Sequence, residues 1–120
     1  MTDGSAEWYS VRCVFRASVD HAWGPADLGP GESAYEERIT LWRAFSAEAA
    51  IERAEAGARQ YAADIEVEYL GLAQSYRLAD EPGDGAAVFS LCRKSTLDAE
   101  PYLDAFFDTG GEYQRHIIDG

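Results

Sequence analysis

The side chains of this 120-residue chain whose types suit catalysis are few: Cys13, Cys92, His21, His116 and some small groups of carboxylates. Nucleophilic catalysis needs a nucleophile, a base and a group that orients the base. Cys13 or Cys92 with His21 would supply two of these. Yet His21 stands in a glycine-rich connection and His116 near the C-terminus, and neither position offers a rigid framework. A surface histidine and a buried thiol is the simpler reading. The cysteines lie far apart without a CxxC, so in a reducing compartment each reads as a small buried hydrophobe rather than half of a disulfide. A reactive thiolate would need an electropositive setting.

The carboxylates give no stronger signal. Asp80, Glu81 and Asp84 crowd one turn, but their spacing lacks the alternating ligands and closing glutamate of a calcium loop. Glu66 and Glu68 read as residues on one face of a strand, and an acid–base pair there would need an apolar setting that splits their pKa values. Nothing nearby in sequence supplies it, so an exposed strand start is the plainer reading. Glu36, Glu37 and Arg38 are explained by cross-strand pairing with Arg12 or Arg16. The glycines of "HAWGPADLGPGE" come without a lysine or a helix start, which argues against a phosphate cradle. No metal and no cofactor are expected, and the residues favour a role other than catalysis.

The elements that would position these side chains are legible from hydrophobic rhythm. "WYSVRCVFRAS" alternates, sending Tyr9, Val11, Cys13, Phe15 and Ala17 one way and Trp8, Ser10, Arg12, Val14 and Arg16 the other, as a strand does. Residues 19–34 are rich in glycine and proline and read as a long irregular connection. "YEERITLWRAF" alternates again, with Tyr35, Glu37, Ile39 and Leu41 on one side and Glu36, Arg38, Thr40 and Trp42 on the other. After Ser46, placed as an N-cap with Glu48 in the first turn, the period lengthens. Ala47, Ala50, Ile51, Ala54, Ala58, Tyr61 and Ala62 then form a helical stripe, small enough for close docking on a sheet. "IEVEYLGLAQSYRLA" and "AAVFSLCRKS" read as a hairpin closed by "DEPGDG". Asp98 precedes a second helix with Pro101 in its first turn, and residues 111–120 read as a partly ordered tail.

One domain over residues 1–120 is therefore expected, of α+β class: a four-stranded antiparallel sheet in β-β-α-β-β-α order with both helices on one face. This is a circularly permuted ferredoxin-like arrangement, with spatial strand order one, two, four, three. The chain carries 22 acidic against 10 basic residues, a net charge of −12, and its cations are scattered. Nucleic acid and anionic membrane surfaces are disfavoured as partners. The start "MTDGSAEW" lacks the cations of a signal peptide and no stretch is long and apolar enough for a membrane span, so a cytoplasmic location is expected.

If both helices cover one face, the other collects Trp8, Arg12, Val14, Arg38, Thr40 and Trp42, with Val67 and Tyr69 beside them. Trp8, Arg12, Arg38, Trp42 and Tyr69 are thus the candidate binding residues, since amphipathic aromatics beside arginines are enriched in interface hot spots. The connection at 19–34, through Trp23 or Leu28, would cover the same face in the competing reading.

The segments "WYSVRCVFR", "YEERITLWRAFSAEAAIERAEAGARQYA", "VEYLGLAQSYRLAD", "DGAAVFSLCRKSTL" and "YLDAFFDTGGEYQR" together resemble a bacterial family catalogued as domain of unknown function 4288. The likeness runs in order from about Trp8 to the tail. It implies a small prokaryotic domain without implying an activity. The family pattern has a glutamate just before "VFS", where this chain has Ala87, so a role for that carboxylate is missing here. The expectation is an acidic protein-interaction module, an inhibitor, immunity or accessory protein, pairing with itself as a homodimer through the open sheet face or with a basic protein. The alternative is a small-molecule binding protein or enzyme resembling dimeric α+β barrels, with its pocket on that face.

Overall fold

A computed structural model describes residues 5–17 and 30–107. Most of the connection at 19–34, both histidines, Trp23, Leu28 and the tail at 111–120 lie outside the described residues. The chain divides into two compact units, Met1–Ser90 and Leu91–Gly120.

The first unit holds β1 (Glu7–Ala17), β2 (Ala34–Ala44), α1 (Ala47–Ile65) and β3 (Glu68–Arg77). Alternation in β1 does what the pattern requires, because Tyr9, Val11, Cys13, Phe15 and Ala17 are all buried. Val11 and Phe15 are 0% and 1% exposed, and burying a side chain of this size contributes about 1.5–3 kcal/mol. The strand forms the centre of the sheet, whose order is β2-β1-β3 with both pairings antiparallel. β2 and β3 therefore run in the same direction on either side of β1, joined through α1.

α1 starts where its cap dictates. The Ser46 hydroxyl accepts the Ala49 backbone N–H at 3.0 Å, which satisfies one of the donors a helix N-terminus leaves open. Ala50, Ala54, Ala58 and Ala62 are the buried stripe, and they pack on Tyr9, Val11, Cys13 and Phe15. The helix ends at Glu66, which adopts a left-handed conformation (φ 58°) while Val67 N–H returns to the Ala62 carbonyl at 3.0 Å. Glu66 is thus a helix cap. It does not share a strand face with Glu68.

The class is α+β, but the four-stranded sheet is not found; among the described residues the sheet has three strands. Residues 86–95, expected as the fourth, adopt no strand among the described residues. The breakers of "DEPGDG" do make a turn, with Gly85 left-handed and Ala86 N–H on the Gly83 carbonyl at 3.0 Å. Beyond this turn the chain docks by side chain instead of by edge pairing. The Phe89 ring lies 6.1 Å from Tyr76 and receives the Arg12 guanidinium at 5.0 Å. The order one, two, four, three fails with the missing strand, since β3 pairs directly with β1. The permuted ferredoxin-like arrangement is not formed. In the second unit, α2 spans Ala99–Phe106 behind Asp98, with Pro101 in its first turn, and Arg93 lies 4.7 Å from the Phe106 ring.

Candidate functional site

Residues directly opposite one another in an antiparallel pair share a face. The register sets Tyr9 opposite Trp42, Val11 opposite Thr40, Cys13 opposite Arg38 and Phe15 opposite Glu36. Arg38, Thr40 and Trp42 therefore join the buried side of β1, under α1. Tyr69 sits opposite Phe15 and donates its hydroxyl to Glu55 of α1 at 2.5 Å, so it too lies on the helix side. Of the candidate binding residues, only Trp8 and Arg12 occupy the face turned away from α1. The five are not brought together.

The fit of β2 against α1 depends on bulk at Gly57. A Cβ added at Gly57 would come within 3.2 Å of Trp42 Cη2, so the one glycine in α1 is where the indole lies against the helix. Trp42 N–H donates to Thr40 Oγ1 at 2.6 Å, and Arg53 stacks 5.2 Å from the indole. The signal available in sequence was Trp42 and Gly57 as a large and small pair.

The open face carries residues that a search for aromatics and arginines passes over. Ile39 and Leu41 are 41% and 40% exposed, and Leu72 of β3 is 57% exposed. Leu72 lines a shallow hollow with Val14, Arg12, Glu37 and Gln74. Leu72 shares the face of Gln74 by alternation, beside an irregularity in β3 where the register shifts between Cys13 and Phe15 and Gly71 is left-handed (φ 80°). Ion pairs from the central strand cross the face between the exposed residues of β2 and β3. Arg12 meets Glu37 at 3.4 Å and Arg16 meets Glu68 at 2.6 Å. Arg12 also donates to Gln74 at 2.5 Å. At one end Phe89 closes over Arg12 and Tyr76, and Ser10 beneath is fully buried with its hydroxyl unpartnered.

The helix side contains a groove of about 250 Å³ between β2 and α1, reaching down to Cys13 and Phe15. Burial pushes the Cys13 thiol above its ordinary pKa, against the opposing pull of a hydrogen bond to Tyr69. Burial first, and then the hydrogen bond to Glu55, raise the Tyr69 phenol. Both groups are held protonated, and the thiol is not an activated nucleophile. Cys92 is exposed rather than buried.

Among the described residues no three or more His, Cys, Asp or Glu side chains are grouped to hold a metal ion, and no helix is long and apolar enough to cross a membrane. Compared with known proteins, the chain matches no family model, no curated protein and no solved structure.

Proposed function

We propose that this chain is a protein-interaction module that pairs with a second copy of itself through the sheet face turned away from α1. The observation that carries this reading is the exposed strip of Ile39, Leu41 and Leu72 on that face. Charge supports a second copy as the occupant. The face presents Arg12, Arg16 and Arg43 against Glu37 and Glu68, close to neutral on a chain of net charge −12, so two such faces can meet without the repulsion other surfaces would impose. A basic partner would instead be drawn to acidic surface such as Glu48 and Glu52, exposed on α1. A reducing cytoplasm suits the two unpaired cysteines.

Three strands of this length, about 3.3 Å per residue and about 4.8 Å apart, offer at most roughly 500 Å² per copy, less the end that Phe89 covers. That is below the roughly 800 Å² each partner gives to a standard interface. The pairing is accordingly weak and concentration-dependent. Sedimentation equilibrium over a wide concentration range tests it. A monomer–dimer equilibrium abolished by Leu41→Lys supports the reading. A monomer throughout, or a dimer indifferent to Leu41→Lys, contradicts it, and a complex seen only with basic proteins and lost in salt points to α1 instead.

A further inference from the structure

We infer that the groove between β2 and α1 is a binding site for a small aromatic carboxylate. Its polar lining consists of donors. Arg38 stacks its guanidinium 4.0 Å from the Tyr61 ring and makes no ion pair among the described residues; stacking leaves the in-plane N–H groups of an arginine free to fork onto a carboxylate. Thr40 already accepts the Trp42 indole proton at 2.6 Å, and so has its own hydroxyl proton to give. These two residues are neighbours on one side of β2, and both line the groove. Tyr61 gives its hydroxyl proton to Glu36 at 2.7 Å, which leaves its ring as a wall.

Among the described residues no carboxylate lines the groove, on a chain with 22 acidic residues. An anionic ligand would therefore meet the Arg38 guanidinium with no lining carboxylate in direct contact, Glu36 standing behind the Tyr61 hydroxyl. The remaining walls are apolar: the Trp42 indole on one side, Phe15 and Ala58 beneath. An apolar cavity of about 150 Å³ accepts benzene, so about 250 Å³ accommodates one aromatic ring with its carboxylate. The small residues of α1 have a second consequence here. They bring the helix close enough to the sheet for a floor, yet are too small to fill the space between Trp42 and Tyr61 themselves.

Benzoate, with benzyl alcohol as the uncharged ring of similar size, is titrated against the full chain and followed by two-dimensional NMR. The expected result is saturable shifts at Phe15, Trp42 and Ala58, with benzyl alcohol binding more weakly. Arg38→Met, at an exposed position, weakens benzoate about tenfold or more, the loss expected for a charged hydrogen bond, and leaves benzyl alcohol unchanged. Thr40→Val weakens benzoate severalfold and provides an independent variant. Absence of saturable shifts, shifts confined to other surfaces, or benzoate affinity unchanged in both variants would overturn the inference.

Discussion

The two faces of the sheet draw on the same three strands and meet opposite fates. Under α1, β1 presents side chains that are nearly all sealed, while β2 contributes Glu36, Arg38, Thr40 and Trp42, polar or amphipathic groups held by Tyr61, Gly57 and one another. On the other face the same strand shows Ile39 and Leu41 to solvent. The apolar set of β2 thus faces away from α1 and the mixed set faces it. Burial is decided by what the opposite element can accommodate, and a helix stripe of alanine and glycine accommodates an indole better than a row of branched aliphatics.

Substitutions on the two faces should separate stability from the proposed association. The largest effect is expected from Phe15→Ala, which empties a site 1% exposed in contact with Tyr61 and Tyr69 and should lower unfolding free energy by about 3–5 kcal/mol in denaturant titration. Leu41→Lys, on the open face, should change folding stability by no more than about 0.5 kcal/mol. Equal losses from the two would erase the distinction between the faces. Trp42→Ala comes next, at about 2 kcal/mol since the indole is only partly buried, with association intact. A loss of association without a loss of stability would return Trp42 to the open face.

Gly57→Ala sharpens the same boundary. Alanine favours the helix by about 1 kcal/mol, but its Cβ would stand 3.2 Å from Trp42. In the Trp42→Ala background the substitution should stabilise by up to about 1 kcal/mol, and in the parent by clearly less. A double-mutant cycle without coupling would mean the indole does not lie against the helix.

The smallest effect is a pH dependence. Cys13 and Tyr69 both have raised pKa values, so the folded state keeps protons that the unfolded state releases from about pH 8.5 for the thiol and about pH 10 for the phenol. The stability these groups contribute is complete below those values and lost as pH rises through the folded ones. The melting temperature should fall more steeply between about pH 9 and 11 in the parent than in Tyr69→Phe. Parallel slopes would mean that the Tyr69 hydroxyl has no part in this dependence.

Local signals were legible wherever one segment decides its own fate. Alternation in β1, the Ser46 cap and the alanine stripe of α1 read directly into structure. The same reading failed where two segments had to agree. Alternation divides β2 into two sets of side chains, but which set joins the buried side of β1 depends on register, and a slip of one residue exchanges them. Arg38 and Trp42 were misplaced for that reason, and Tyr69 for the same reason in the register of β3 on β1. Residues 86–95 have the apolar content of a strand, and β3 offers an edge, yet composition does not decide between edge pairing and side-chain docking, and Phe89 docks on Arg12 and Tyr76 instead. Glu66 looked like strand because its role as a left-handed cap depends on where the helix stops.

Pairing through the open face is tested most directly by the response of the methyl NMR signals to dilution. The methyl signals of Val14, Ile39, Leu41 and Leu72 should move together with concentration while those of Val11, Ala54 and Ala58 stay fixed. Methyl signals that ignore dilution, or movement confined to the alanines under α1, would contradict it.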